Sequence, residues 1–482
     1  MRAGVTKSIF SLACVAALVG LIGASAASAQ SPGGAALPAP PSGCLLISPQ
    51  INPLFISATD SFENDVDCLA WQDFIYLMWP ADADKRGVPD ANRTLGASGP
   101  TVWETYRTID TVFLPGGADP GPWQQPSDKV RHLTTTSKIS RAVLTNIMRS
   151  AAASKAAFPP AILNAISQAG GGTLYDLNGN PVYYEVAIDK PEYDYIVANK
   201  LYDAYKQAAF AQTHVIALPI ATKDNPLGAV EIKAAWKVLS DAEKQPCLFT
   251  NPEKPLCHFH TVQALVGGSN TPVTVGLVGF HMFILAGVSG SSQGAWATFA
   301  QVDNAPVQGS PIGPAYNFFN PNCKVPGTSS PCPVNVMDAD PGQVMQITAD
   351  ASQADKLNAH MKSIIKNKDP NSPWQYYKLI DVQWPKHPAN ISNRKPPLST
   401  PLPNGDPNVP LRGKDMVNPV IETFAQLPPT ELMPVVPPPG LACLSCHQYA
   451  STSPMGPHLP PYATSYSFIF GHASSLPTGQ QR

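Results

Sequence analysis

Charged side chains are scarce in this chain, and basic ones are too few to form a broad positive surface. Asp, Glu, Lys and Arg make up 14% of the 482 residues, against roughly 25% in ordinary soluble domains. The formal net charge is −2 at pH 7, which argues against a nucleic-acid partner bound by electrostatic attraction. The sequence also lacks a glycine-rich phosphate loop and a metalloprotease helix. Its 53 prolines indicate a surface rich in loops.

Long apolar runs are missing except at the amino terminus. There, Arg2 and Lys7 precede an uncharged apolar run over residues 9–23, and Ala27-Ser28-Ala29 offers small residues for cleavage. The run is too short for an ordinary membrane span, which needs about 20 residues. Residues 1–29 are therefore predicted to be a signal peptide. We expect a periplasmic or secreted protein with no integral membrane span after the signal is removed.

The most specific motif lies near the other end of the chain, at Cys443-Leu444-Ser445-Cys446-His447. This C-x-x-C-H pattern is the attachment motif of haem c, in which two thiols bond to the haem and the histidine reaches the iron from the proximal side. A zinc site would need a second Cys or His pair at ligand spacing. We therefore predict one covalent haem c, bound by Cys443, Cys446 and His447.

The remaining cysteines fit the same compartment. The chain has nine, of which Cys14 leaves with the signal peptide and two are taken by the haem. The other six fall in sequence as three close pairs, and disulfides are expected in an oxidising compartment. Local pairing is the simplest of the fifteen possible arrangements. It gives Cys44–Cys68, Cys247–Cys257 and Cys323–Cys332.

Apolar periodicity predicts an α+β protein with a central antiparallel sheet or sandwich surrounded by helices. Residues 30–60 form a leader, and residues 61–220 are helix-rich, with helices over 62–79, 140–154, 160–168 and 192–209 and a hairpin around Asn178-Gly179. Residues 221–384 are β-rich, with strands over 230–238, 273–285, 296–302 and 376–384 and a helix over 352–367. Residues 385–440 contain fifteen prolines and are expected to run extended over the surface as a connecting arm. The arm leads to the haem c attachment segment, residues 441–482.

Several further motifs accompany C-x-x-C-H. They are WQDFI (71–75) with WPAD (79–82), VWETY (102–106), EIKAAW (231–236), VGLVGFH (275–281) and WATF (296–299) with Asp303 and Asn304. Together they resemble large exported bacterial proteins of the cytochrome c family that carry a single haem. The resemblance spans most of the mature chain and implies haem binding and electron transfer, without indicating a substrate.

The second axial ligand of the iron is left open by the sequence. Met455 lies eight residues after His447, and a thioether ligand there would favour a high-potential electron carrier. His458 and His472 are alternatives in the same tail, and an open distal face is another. Elsewhere, His281 fits a hydrogen-bonded core histidine in a strand. His258 and His260 alternate on one strand face, either as a metal or haem site or as a surface pair.

Three functional classes follow from these residues. The first, which we favour, is an electron-transfer cytochrome that exchanges electrons with a redox partner protein or a small-molecule donor or acceptor. The second is a haem enzyme with an open distal site, acting on peroxide or another small molecule. The third places a separate binding or catalytic site in the β-rich body and uses the haem as its electron outlet. Trp103-Glu104 and the pair Glu231 and Lys233 are candidates for acid–base groups, although salt-bridged strand faces explain them more simply.

Overall fold

A computed structural model describes most of the chain after residue 61. The described residues are 47–50, 62–125, 130–134, 173–222, 224–244, 258–286, 294–313, 316–336, 343–347, 350, 352–385, 389–403, 411–412, 416–426, 443–453 and 461–475. All of them belong to one compact unit, Ala39–Arg482. Within this part of the chain, no helix combines the length and apolar character needed to cross a bilayer.

The described helices are mostly short. They are α1 (Phe62–Leu77), α2 (Ile109–Val112), α3 (Lys190–Ala198), α4 (Ala204–Thr213), α5 (Ser352–Lys368) and α6 (Cys443–His447). Short 3-10 helices occupy Trp103–Thr105, Pro115–Gly117, Pro373–Tyr376, Thr423–Ala425 and Ile469–His472. The predicted helices over 140–154 and 160–168 lie outside the described residues.

The prediction of one helix over residues 192–209 is wrong, because the chain breaks there into α3 and α4. Lys200 has a φ of 54°, in the left-handed region that ends a helix. The Asp203 side chain then caps α4 by accepting a hydrogen bond from Lys206 N. The Asp189 side chain caps α3 in the same way, by accepting from Glu192 N. A side-chain acceptor at this position satisfies a backbone donor in the first turn of the helix, so Asp203 favours the start of a new helix, α4.

The strands form one mixed sheet that curls into a half-barrel. They are β1 (Arg107–Thr108), β2 (Arg131–Leu133), β3 (Tyr183–Ile188), β4 (Val230–Val238), β5 (Thr261–Val266), β6 (Val273–Ile284), β7 (Ala295–Gln301), β8 (Tyr377–Pro385) and β9 (Leu411–Arg412). The main order is β1-β3-β4-β6-β7-β8-β9. Strand β5 pairs with the first half of β6, and β2 joins β5 in parallel. The α+β class is therefore confirmed, while all described strands lie in a single sheet.

The longer strands match the predicted ranges closely. Strand β4 has the predicted bounds, and β6, β7 and β8 each differ from theirs by one residue at one or both ends. The hairpin around Asn178-Gly179 is also present, closed by a bond from Val182 N to Leu174 O at 2.8 Å. Strands β2 and β5 were not predicted, since β2 has only three residues and β5 buries only one of its six.

One face of the sheet carries the aromatic core under α1. Phe280 lies opposite Phe299 across β6 and β7, and Phe74 of α1 stacks on Phe299 with a centroid distance of 4.2 Å. Trp71 meets Phe299 edge to face at 5.0 Å. Burying each such side chain contributes about 1.5–3 kcal/mol, and aromatic contacts add to this. Helix α1 is thereby fixed against the sheet.

The opposite face, here called the polar face, consists of Glu231, Lys233, His281, Thr298 and Gln383 with Phe283 and Trp296 between them. Cross-strand neighbours point to the same side of a sheet, and these residues are linked by the pairs Lys233–His281, His281–Thr298, Glu231–Phe283, Phe283–Trp296 and Trp296–Gln383. Such alternation usually marks a solvent-facing surface. Here Glu231, Thr298 and Gln383 are buried, because the C-terminal part of the chain covers them.

Residues 416–426 provide part of that cover, which differs from the expected surface arm. Asn418 donates to Thr298 Oγ1 at 2.8 Å and to Phe299 O at 2.9 Å. Val420 and Ile421 are fully buried and pack against Gly279, where a Cβ would lie 2.7 Å from Val420 Cγ2. This part of the Pro-rich region is therefore core structure.

One of the predicted disulfides is present among the described residues. Cys323 and Cys332 are bonded, with their Cα atoms 5.4 Å apart. Cys68 also takes part in a disulfide, while Cys44, Cys247 and Cys257 lie outside the described residues. The pairings Cys44–Cys68 and Cys247–Cys257 stay predictions.

Candidate haem attachment site

The C-x-x-C-H motif forms the short helix α6, which is hydrogen-bonded to a residue near the end of β8. Leu444 is fully buried, and its backbone nitrogen donates to Gln383 Oε1 at 2.6 Å. Gln383 is itself buried on the polar face. Cys443 is partly buried, and Cys446 lies on the same helix. The helix therefore presents the motif from a fixed position on the sheet.

His447 ends α6 with its imidazole ring oriented by the backbone. Nδ1 of His447 lies 2.6 Å from the carbonyl oxygen of Tyr466. A carbonyl can only accept, so Nδ1 carries the proton and Nε2 keeps the lone pair that binds a metal. Burial lowers the pKa of His447 to about 4. The ring is therefore neutral near pH 7, which is the form that ligates iron.

The carbonyl that orients His447 is positioned by an unusual turn. Ser465 and Tyr466 have φ values of 49° and 66°, a left-handed conformation that non-glycine residues rarely adopt. Both are fully buried, and the Tyr466 hydroxyl donates to Pro403 O at 2.5 Å. Leu218 N donates to Ser465 Oγ at 3.3 Å. Such strain persists only where surrounding contacts impose it, and here the turn directs a carbonyl at the predicted iron ligand.

Two aromatic rings enclose His447. The ring of Trp296 lies 5.6 Å from that of His447 and the ring of Phe468 lies 4.8 Å from it, centroid to centroid. Trp296 is only 4% exposed, and its indole Nε1 has no hydrogen-bond partner among the described residues. An unpaired buried donor is costly unless a ligand accepts from it. An indole N–H beside His447 suits an acidic group such as a haem propionate, so these residues fit haem.

A charged group lies next to this enclosure on the polar face. Nε2 of His281 is 2.6 Å from Glu422 Oε1. Burial alone would raise the pKa of Glu422, but His281, Lys233 and the Asn418 backbone together lower it to about 2. Lys233 and His281 also act electrostatically on His447. His281 is thus a hydrogen-bonded histidine, as expected from its strand, and it lies near the predicted haem ligand.

The candidates for the second axial ligand stay undecided. Met455 and His458 lie outside the described residues. His472 ends the 3-10 helix Ile469–His472 and is half-buried, which lowers its pKa. Among the described residues, no ring contact or hydrogen bond joins His472 to His447. The second ligand therefore stays a prediction, with Met455 as the candidate.

His258 and His260 belong to a separate cluster on the far face of the sheet. They are not surface residues, since their side chains are only 16% and 12% exposed. His258 stacks on Tyr376, and His260 stacks on Trp374. Nε2 of His260 lies 3.0 Å from Glu104 Oε1. Both side chains are therefore held by neighbours within the protein.

Glu104 in turn borders a cavity of about 920 Å³. Burial alone would raise its pKa, but His260, Arg131 and Thr101 lower it to about 2. Arg131 Nη1 lies 2.6 Å from Glu185 Oε2, and burial raises the pKa of Glu185. Arg131 and Glu185 also line the cavity, together with Thr261 of β5.

Sequence reasoning missed the residues that support the haem motif. Gln383 and Tyr466 act through a side-chain oxygen and a backbone carbonyl, and Phe468 through its ring. The alternation of Glu231 and Lys233 in β4 was visible, but Glu231 is buried under the C-terminal chain, where its carboxyl group contacts Ser467 and Glu192, while Lys233 acts electrostatically on Glu422. The alternation of polar and apolar residues in β4, in a sheet of mostly apolar strands, was the sequence signal that could have indicated this covered polar face.

Comparison of the chain with known protein families, with curated proteins and with solved structures finds no match.

Proposed function

We propose that this protein is an exported c-type cytochrome that carries one covalent haem and transfers electrons. The observation that carries the proposal is the bond from His447 Nδ1 to the Tyr466 carbonyl. It fixes the tautomer with Nε2 available, in a histidine that directly follows two cysteines at haem c spacing. The predicted signal peptide supports export, where haem c attachment and disulfides both occur.

The chain's own residues perform three tasks in this proposal. Cys443 and Cys446 anchor the group, and His447 supplies the proximal ligand. Trp296 and Phe468 cover the ligand and reduce water access, while the Trp296 indole can donate to an acidic substituent. When bound, the haem supplies reversible one-electron chemistry, whose potential depends on axial ligands, burial and nearby charge. Lys233, His281 and Glu422 are the nearby charges of the polar face.

The first test is covalent haem attachment to the full chain, expressed in a host that matures c-type cytochromes. The wild type is expected to gain the mass of one haem that survives denaturation and acid extraction. Cys443→Ala and Cys446→Ala should each lose one of the two thioether bonds. Cys323→Ser with Cys332→Ser is the matched control, since it removes two cysteines without touching the motif. Wild-type protein without covalent haem would overturn the proposal.

The second test separates an electron carrier from an enzyme with an open distal site. Optical spectra of the oxidised and reduced protein are recorded with and without carbon monoxide. A six-coordinate low-spin haem that does not respond to the gas supports the carrier. A high-spin haem whose spectrum shifts with carbon monoxide supports the open-site enzyme instead. Met455→Ala would convert the first behaviour into the second if Met455 is the distal ligand.

The cavity near Glu104 favours a second candidate, a binding body that uses the haem as its electron outlet. The volume of about 920 Å³ lies within the range of small-molecule sites, and several charged side chains in its wall offer partners for a polar ligand. Thr261→Trp would fill part of this cavity from an exposed position on β5. If a small-molecule donor reduces the haem through this site, the variant should slow reduction while leaving the spectrum unchanged. Equal rates in both proteins would remove this candidate.

A further inference from the structure

Two glutamates meet in the interior beside the haem attachment segment. Glu231 lies on the polar face of β4, and Glu192 lies in the first turn of α3. Glu192 is fully buried, and Glu231 is 8% exposed. Burying one carboxylate without a cation is costly, and this site buries two. An arrangement of this kind needs a specific compensation.

The contacts of the pair show what that compensation is. Three oxygens of the pair receive no hydrogen bond from a donor in the described part of the chain. They are both oxygens of Glu192 and Oε1 of Glu231. The two carboxyl groups nevertheless lie within hydrogen-bonding reach of each other. Two ionised carboxylates can only accept, so such a contact requires a proton on one of them. The neighbouring carboxylate of Asp189 adds further negative charge.

The pair is also connected to the haem attachment segment. The Ser467 hydroxyl hydrogen-bonds to Glu231, and Ser467 lies between Tyr466 and Phe468, which both contact His447. On the sheet, Glu231 faces Phe283, whose ring stacks on Trp296 at 4.6 Å. Trp296 in turn contacts His447. Two short paths therefore lead from the pair to the predicted iron ligand.

We propose that Glu192 and Glu231 form a proton-binding site whose single shared proton is coupled to the charge of the haem. The proposal rests on the proposed function. When a reductant such as dithionite delivers one electron to the oxidised protein, the positive charge near the pair falls by one. The pair then binds a proton from solvent more tightly, so uptake of one electron is accompanied by uptake of up to one proton.

Other charged groups set the range in which this coupling acts. Asp189, the residue that caps α3, lies beside the pair, while Lys233 lies on β4, His281 on β6 with Glu422 beside it, and His447 on α6. Burial raises the pKa of Glu231 to about 7 and that of Glu192 well above its usual value. The coupling is therefore expected around neutral pH.

The shared proton is tested first by infrared spectroscopy of the full chain, with and without haem. A protonated buried carboxyl gives a C=O band distinct from that of carboxylate, and it should titrate around neutral pH. Glu231→Gln and Glu192→Gln should each remove this titration. Asp194→Asn is the matched control on the exposed side of α3 and should retain it. A wild-type protein whose spectrum lacks the band below pH 6 overturns the shared proton, whether or not haem is attached.

The coupling is tested by the reduction potential of the haem-loaded protein between pH 5 and pH 9. For a one-electron couple, the potential changes by at most about 59 mV for each tenfold change in proton concentration. We expect the wild-type and Asp194→Asn potentials to fall with rising pH near neutrality, and Glu231→Gln and Glu192→Gln to flatten that fall. An equally steep fall in all four proteins would overturn the coupling. Failure of haem attachment would instead overturn the proposed function and leave the infrared result standing.

Discussion

The side-chain oxygen of Gln383 lies 2.6 Å from the backbone nitrogen of Leu444, the residue between the first predicted haem cysteine and Ser445. Gln383 is opposite Trp296 in the sheet, and Trp296 contacts the ring of His447. The sheet thus supports both ends of the motif, the start of α6 through Gln383 and its last residue through Trp296. Strand β8 is therefore part of the candidate site, although it contributes no ligand.

Gln383→Leu should destabilise the protein and loosen the haem segment. The change keeps the size of the side chain but leaves the buried Leu444 N–H without its acceptor, which costs about 1–3 kcal/mol. The measurement is the free energy of unfolding by denaturant. Gln263→Leu at an exposed position of β5 is the control, because the Gln263 side chain bonds to Thr274 Oγ1 at the surface and the change should cost less than about 0.5 kcal/mol. Equal effects would mean that the Leu444 bond contributes nothing specific.

Gly279→Ala should displace residues 416–426 from the polar face. A Cβ at Gly279 would lie 2.7 Å from Val420 Cγ2 and 3.0 Å from Ile421 Cγ1, and overpacking of this kind costs about 1–3 kcal/mol. The unfolding free energy of the single variant is compared with that of Gly279→Ala combined with Val420→Ala. Since the second change makes room, the double variant should be more stable than the sum of both single effects predicts. Simple additivity would show that the two residues do not touch.

The fold could be predicted where local pattern decides it. Strands β4, β6 and β7 are apolar or alternating runs of seven to twelve residues, which fit a strand better than any surface loop. The break between α3 and α4 was not predicted, since the apolar pattern continues through it and only Asp203 signals a new helix start. Strand order was also beyond local pattern, because β1 pairs with β3, β2 with β5 and β7 with β8 across long stretches of sequence.

In the candidate site, too, only the residues that are close together in sequence could be predicted. Cys443, Cys446 and His447 could be identified because the motif is contiguous. Gln383, Trp296 and Tyr466 could not be assigned their roles, because each reaches the motif through folding and one acts only through its backbone carbonyl. The polar alternation in β4 showed that the two sheet faces differ. What covers the polar face depends on residues 416–426, 443–453 and 461–475, which follow the end of β4 by roughly 180 to 240 positions.

Removing the Cys323–Cys332 disulfide should cost about 2–3 kcal/mol of unfolding free energy by the loop-entropy argument. The bridge closes a short loop that is otherwise held by backbone bonds such as Val325 N to Ser330 O at 3.0 Å. The measurement compares the double variant, Cys323→Ser combined with Cys332→Ser, with the wild type. Each protein is measured with and without reductant. Reductant that leaves the disulfide of Cys68 intact should lower wild-type stability to the level of the variant. A variant as stable as the oxidised wild type would show that this loop is already ordered without the bridge.

Glu104 should stabilise the fold at neutral pH and cease to do so in acid. Its pKa is lowered from the model-peptide value of 4.5 to about 2 in the folded protein, so the unfolded chain binds more protons between these values. Stability from this group is therefore complete above about pH 4.5 and lost as the pH falls toward 2. Glu104→Gln should lower the unfolding free energy at pH 7 and flatten its decline below pH 4.5. Asp84→Asn at an exposed position is the control, and an equal decline of stability in acid for wild type, Glu104→Gln and Asp84→Asn would contradict the role of Glu104.

Glu231 should show the opposite dependence, although it too is a buried glutamate. Its pKa is raised by burial from 4.5 to about 7, so the folded protein binds more protons than the unfolded chain between these values. Glu231 therefore makes an unfavourable contribution to the free energy of unfolding. This contribution is absent below about pH 4.5, grows as the pH rises, and is complete above about pH 7. Glu231→Gln should therefore gain stability relative to wild type as the pH is raised from 5 to 8, measured by denaturant unfolding of the haem-free chain. Glu104→Gln measured over the same interval should run parallel to wild type, because Glu104 is ionised in both states there. A Glu231→Gln curve that also runs parallel to wild type would contradict the raised pKa of Glu231, and would mean that a proton held by the pair resides on Glu192.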